Sequence, residues 1–328
     1  MGLIDHNLYI ERLGAFIDPP RAVEKAIITH AHADHAKPGH KHVLATQQTI
    51  DIMKIRYGNN CAEVFQAIKF NEKLNINDLS LTFFPAGHIL GSAQVLITDQ
   101  SSRYLITGDY KTKEDSSCQT FQLVECDVLI TEATFGLPVF QHPNPKKEIQ
   151  KLLNHLKGEK SNTYIIGAYS LGKAQRVIRL LREAGFDENI YLHGSQTKIC
   201  EYYETQGINL GELSSVAHRK SDEFKGKIVI APPSALRDRW SRRFSNPVIC
   251  AASGWMSIKQ RAKQSLVEIP LVISDHADWN ELTDTILETG SKTVWVTHGR
   301  EEALVYWCKK NNIEGAPLNL QRREEDTE

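Results

Sequence analysis

The sequence predicts an α/β fold of one large domain or two. Three observations carry this. Short apolar runs of strand length alternate with longer stretches of helical periodicity. The runs end repeatedly in loops rich in His, Asp and Glu: THAHADH, AGH, TGDY, TEAT, SDHAD and VTHG. The 328 residues suit one large domain or two of ordinary size.

Taken in order, VEKAIITH reads as a buried strand ending at His30, and HVLAT with QTIDIMKIRY as a strand and a helix. LSLTFFPAGH is a strand reaching Gly87 and His88. QVLITDQSSRYLITGDY is a hairpin turning at Asp99 to Ser102. CDVLITEAT is a strand ending near Glu132, and the Pro-rich FGLPVFQHPNP breaks the pattern. Beyond it come a helix over NPKKEIQKLLNHLK, a strand over TYIIGAYS, and an amphipathic helix over GKAQRVIRLLREAG, stopped by Gly185. KIVIAPP and NPVICAASGW are further strands. PLVISDHADW, a helix from Trp279 to Glu288, a strand over KTVWVTHG and a last helix close the chain, and the tail QRREEDTE is expected to fray.

Hydrophobic residues make up 41% and the net charge is −1, which excludes a disordered or fibrous chain. No run of about 18 apolar residues exists, so no membrane span is expected. The start lacks a basic region followed by an apolar stretch, which predicts no secretory signal and a cytoplasmic location. Six Cys without a CxxC exclude a disulfide scaffold and a Cys-type zinc site. The near-neutral charge hides an asymmetry. Residues 137–273 hold 21 Lys and Arg against 12 Asp and Glu, a net of +9, which leaves −10 for the rest. Such a segment fits an anionic partner such as nucleic acid, or two surfaces of opposite sign that dock.

His30-Ala31-His32-Ala33-Asp34-His35 packs three imidazoles and a carboxylate into six residues. In extended structure His30, His32 and Asp34 share one face and His35 takes the other. The N and O ligands suit Zn²⁺, with Mn²⁺ or Fe²⁺ as alternatives, and the two alanines permit close approach.

This HxHxDH pattern resembles the signature of the metallo-β-lactamase superfamily. The resemblance implies an αβ/βα sandwich with a dinuclear metal site between its sheets. Asp18 in AFIDPPR matches the carboxylate that braces the ligand loop, His88 in GHILGS the third motif, and Asp109 in TGDY the bridging carboxylate. Glu132 in TEATFG, His276 in SDHAD and His298 in THG resemble motifs A, B and C of the β-CASP nucleases. That branch inserts an α/β domain between motifs A and B. The expected division is therefore 1–136 with 274–328 for the metallo-β-lactamase domain and 137–273 for the insert, which is the basic segment. AYSLGKAQRVIRLL also resembles a recurring β-CASP element.

Across nearly the full length, HAHADHAKPGH, GHILGSAQV, ASGWM and SDHADW resemble the bacterial DNA ligase-associated exonucleases. The resemblance implies DNA repair, two divalent ions with zinc favoured over manganese, and a DNA ligase and a helicase as partners. It places one ion on His30, His32 and His88, the other on Asp34, His35 and His298, with Asp109 bridging. Asp34 would also orient the attacking hydroxide. The leaving oxygen needs an acid, and His276 is the candidate, oriented by Glu132. His298 at motif C is the pattern of β-CASP enzymes that cut RNA, so it pulls against DNA.

Basic candidates for nucleic-acid contact are Arg237, Arg239, Arg242 and Arg243 in ALRDRWSRRF, and Lys259, Arg261 and Lys263 in SIKQRAKQ. The last three alternate and would share a face in a strand. Trp240 or Trp255 could stack on a base. Ser253 and Gly254 could give hydroxyl and backbone donors to a phosphate, or Gly254 could serve only as a turn. A small ester, lactone or thioester hydrolase would need neither Glu132, His276 and His298 nor a basic segment. A non-enzymatic scaffold subunit usually loses the metal ligands that this chain keeps.

Overall fold

The computed structural model describes residues 3–318; the QRREEDTE tail and the end of the expected 274–328 segment lie outside them. Among the described residues the chain forms three sheets. It divides into two compact units. Among the described residues, one combines 3–141 with 276–318, and the other is built on the intervening stretch His142–Asp275.

The first unit holds two sheets. The five-stranded sheet runs, in spatial order, Tyr9–Ile10, Ala15–Ile17, Lys25–Ile27, His40–Ala45 and Ala62–Ala67. The seven-stranded sheet runs Glu314–Pro317, Thr293–Gly299, Val128–Ala133, Arg103–Ile106, Ala93–Thr98, Leu79–Pro85 and Lys73–Ile76. Period-two alternation decides what each face meets. In Val128–Ala133, Ile130 joins a core with Ile17, Ile27, Phe83, Val95 and Ile97, drawn from both sheets. Its neighbour Leu129 joins Val294, Val296, Leu282, Ile286 and Leu304, where the helices Trp279–Glu288 and Glu301–Lys310 cover the opposite face. Each such side chain contributes roughly 1.5–3 kcal/mol on burial. The expected hairpin is present, closed by the Asp99 N–H donating to the Ser102 carbonyl at 3.1 Å.

The second unit carries six strands, all paired in parallel, in the order Leu213–Ser215, Ile190–Leu192, Ile228–Ala231, Thr163–Gly167, Pro247–Ala252 and Ile269–Leu271. A parallel sheet is covered on both faces, so its central strands are continuously apolar. Tyr164, Ile165, Ile166, Ile228, Val229 and Ile230 are all buried. The helix Lys173–Glu183 buries Ala174, Val177, Ile178, Leu180 and Leu181, and Gly185 turns the chain out at φ +79°.

Two sequence expectations fail on local geometry. The HAHADH segment is a turn, with the His35 and Ala36 N–H groups donating to the His32 carbonyl at 3.1 and 2.8 Å, so a two-residue period does not sort its side chains. Lys259, Arg261 and Lys263 lie on the helix Lys259–Gln264, not a strand. At 100° per residue, Lys259 and Lys263 share a side and Arg261 points away from it.

Candidate metal centre

Four loops of the first unit, leaving strands of both its sheets, bring Asp18, the HAHADH residues, His88 and Asp109 together. Asp18 directly follows Ala15–Ile17 and takes φ +45°. Its Oδ1 accepts from the Thr29 N–H at 2.7 Å, and its Oδ2 lies 2.6 Å from the Thr29 hydroxyl and 2.8 Å from His35 Nδ1. Asp18 thus anchors the start of the HAHADH turn and fixes the His35 ring, leaving Nε2 to face the cluster. Thr29 Oγ1 also lies 3.1 Å from His30 Nδ1. Gly108 at φ +55° lets the Asp109 loop approach here, since a Cβ at that position would come within 2.7 Å of Thr29 Oγ1.

Asp109 is the hub. Its Oδ2 is 3.5 Å from His30 Nε2, 3.4 Å from His35 Nε2 and 3.9 Å from His88 Nε2. Ligand atoms of His30, His32, His88 and Asp109 all lie within 4.8 Å of one another, and those of Asp34, His35 and His298 form a second such set. Asp34 therefore groups with His35, against the extended-face expectation. His88 Nε2 and His32 Nδ1 are 3.0 Å apart, and the His35 and His298 rings stack with centroids 5.0 Å apart.

His298 reaches the second set from a β-bulge. Glu132 pairs with Thr297 and Ala133 with Gly299, so His298 is the extra residue. It takes φ +58°, a costly conformation for a side-chain-bearing residue that is typical of functional sites. Gly299 follows at φ +93°, where a Cβ would sit 2.1 Å from the Ala133 carbonyl oxygen.

The electrostatics suit cations. His30 is buried, and burial together with the charge of His35 pushes its pKa well below the imidazole range. Its buried Nε2 has no hydrogen-bond partner. Burial would raise the Asp109 carboxyl, but the His35 charge overrides this and holds it well below the usual carboxylate range. Burial likewise opposes charge on His35, yet the Asp34 and Asp109 carboxylates hold it well above its ordinary value. A buried imidazole nitrogen without a partner, beside carboxylates held low in pKa, fits divalent metal ions.

Glu132 and His276 adjoin this cluster. The buried Glu132 carboxylate lies 3.0 Å from His276 Nδ1 and accepts the Tyr110 N–H at 2.8 Å. The His276 and His88 ring centroids are 4.6 Å apart. Sequence reasoning did not single out Thr29, Lys111 or Glu281. The capping pattern Asp278-x-x-Glu281 signals the last, since each residue's side chain accepts from the other's backbone N–H.

The remaining candidates belong to the second unit. Ser253 caps the short turn Gly254–Ser257, its hydroxyl accepting from the Trp255 N–H at 3.3 Å. Arg237, Arg239, Arg242 and Arg243 are exposed, as are Lys259 and Arg261. Arg237 donates to the Ser265 hydroxyl, and Arg243 to the Arg219 carbonyl. The Arg261 guanidinium sits 4.1 Å from the Trp255 ring centroid. Trp240 makes T-shaped ring contacts with His193 and Phe244 at 4.9 Å each and packs, partly buried, on a hydrophobic core.

No family model matches the chain. Among curated proteins it is similar to a probable DNA ligase of Opitutus terrae, 27% identical over 317 residues, 92% of this chain and 30% of the ligase. It is also similar to endoribonuclease ysh-1 of Neurospora crassa, 29% identical across 49% of this chain and 23% of the relative. A probable RNase MJ4 of Methanocaldococcus jannaschii is 27% identical across 62% of this chain and 57% of the relative. The chain thus spans less than two thirds of the length of each. A solved structure of a protein of unknown function from Enterococcus faecalis V583 shares the fold, with a TM-score of 0.60 over 93% of this chain and 80% of that one, at 13% identity. The relatives bear out the likeness that the motifs carry, to nucleases associated with DNA ligases.

Proposed function

We propose that the chain is a dinuclear-metal nuclease that hydrolyses phosphodiester bonds in DNA, acting as an exonuclease in repair. In this reading the two-sheet unit is a metallo-β-lactamase sandwich and residues 137–273 are its β-CASP insert. The observation that carries it is the Glu132–His276 pair set against two His/Asp clusters in the same unit. A small-molecule hydrolase has no use for that pair.

His30, His32 and His88 would hold one ion, Asp34, His35 and His298 the other, and Asp109 would serve both. When bound, such a pair supplies an acidified water and positive charge for the phosphate oxygens. Zinc suits the N/O donor set best, with manganese second. The chain's own residues supply the rest. Asp18 holds His35 Nδ1 and so aims Nε2 inward. Asp34 orients the nucleophile. Glu132 holds His276 Nδ1, which directs Nε2 toward the leaving oxygen as a proton donor. Asp109 and Glu132 sit on successive strand ends joined through the Tyr110 N–H, so nucleophile and acid are placed by one scaffold.

Ser253 and Gly254 offer phosphate donors, and the +9 segment with Arg237, Arg239, Arg242, Arg243, Lys259 and Arg261 supplies electrostatic attraction. A ligase and a helicase fit as partners, and a cytoplasmic location fits a nuclease of this kind. Among the described residues, no helix is long and apolar enough to cross a membrane.

DNA is favoured because the DNA ligase-named relative covers 92% of this chain. The second reading is a ribonuclease, favoured by His298 and by the relatives named as RNases. No single residue marks recognition of a 2′-hydroxyl. Matched oligonucleotides differing only in the sugar decide between them. Faster cutting of the DNA version under the same metal and salt is expected, and faster cutting of the RNA version establishes the second reading.

A further inference from the structure

We propose that Lys111 and Glu281 are positioning residues that lock the His276 loop to the Asp109 loop; this rests on the reading of His276 as proton donor. Both side chains are buried, at 3% and 4% exposure, in a molecule where lone charges at that depth are costly. Lys111 Nζ donates to the Glu281 carboxylate at 2.9 Å and to the His276 carbonyl at 3.2 Å. Glu281 Oε1 accepts from the Thr112 N–H, the Thr112 hydroxyl and the Lys113 N–H at 3.0, 2.9 and 3.0 Å. Its Oε2 accepts from the Asp278 N–H at 3.1 Å. One helix-capping carboxylate therefore binds both the segment after Asp109 and the segment after His276.

The ring of contacts closes through the backbone. The Ala277 N–H donates to the Tyr110 carbonyl at 2.6 Å, while the Tyr110 N–H holds Glu132, which holds His276. The His276 peptide is thus fixed from behind by Lys111 and its ring from the front by Glu132. Neither Lys111 nor Glu281 is among the clustered metal-ligand residues. Their removal should loosen the acid without emptying the metal centre.

The test compares Lys111→Met and the double variant Lys111→Met/Glu281→Gln with wild type. The double variant removes both charges and keeps a carbonyl acceptor for Thr112 and Lys113, which preserves folding if an unpaired Glu281 does not. Two diesters serve as probes, a dinucleotide with an alkoxide leaving group and a p-nitrophenyl diester whose leaving group needs no acid. With metal content equal to wild type, kcat on the dinucleotide should fall at least about tenfold and on the p-nitrophenyl diester less than about threefold, part of the range for general acid catalysis. Equal loss on both probes, or no loss on either, overturns the proposal. His276→Ala is the control. If it discriminates between the probes while the Lys111 variants do not, only the positioning role falls. If it does not discriminate, the reading of His276 falls and the proposal with it.

Discussion

The two units hold their charged residues in different ways. In the first, several side chains of the cluster are set by named neighbours. Asp18 holds His35, a bulge throws His298 inward, and Tyr110 and Glu132 fix His276. In the second, Arg237, Arg239, Arg242 and Lys259 stand exposed on short helical turns and their edges. Chemistry on a reacting phosphorus needs groups placed to within about half an ångström. Attraction of a polyanion needs only net charge near the right place. Substitutions in the first unit should therefore act on kcat and metal content. Those in the second should act on affinity and its salt dependence.

The largest expected effect comes from Asp109→Ala. One carboxylate stands beside three imidazole nitrogens, so its loss should empty the centre and cut activity by roughly 10³-fold or more, above the usual cost of one electrostatic group. Metal analysis alongside a rate assay checks this, and a variant that keeps both metal and rate breaks the assignment of Asp109 as the hub. His276→Ala comes next. It should keep its metal yet lose about 10²–10⁴-fold on natural diesters. Restoration of the rate by a substrate with a better leaving group sharpens the assignment; a uniform loss moves the acid elsewhere.

A smaller effect is expected from Arg242→Glu with Arg243→Glu. Affinity for DNA should weaken while kcat at saturation changes little. The slope of log affinity against log salt should shrink by about one for each phosphate that the variant no longer neutralises. Arg243 also donates to the Arg219 carbonyl, so Arg242 alone is the cleaner variant. An unchanged salt slope places the nucleic acid on another surface.

What the sequence made legible follows the same division. The candidate ligands His30, His32, Asp34 and His35 are readable because they are adjacent in the chain, and His88, Asp109, Glu132, His276 and His298 because each lies in the last residues of a strand or within five residues after one. Their sorting into two sets is not readable from periodicity, because HAHADH folds as a turn. The Lys111–Glu281 contact joins ordinary residues 170 positions apart, and nothing local announces it. Strands such as Leu213–Ser215 and Glu314–Pro317 escape sequence reasoning because three or four residues carry no period, and neighbouring strands define them. SIKQRAKQ mimics a strand because its alternating charge imposes a two-residue period on a helix of six residues.

The most direct measurement is metal stoichiometry coupled to phosphodiesterase activity. Protein purified without chelator should carry up to two transition-metal ions per chain. Stripping them should abolish hydrolysis of a simple diester, and adding Zn²⁺ or Mn²⁺ should restore it. Full activity from protein shown to be metal-free would contradict the central claim that the His/Asp cluster is the catalytic centre.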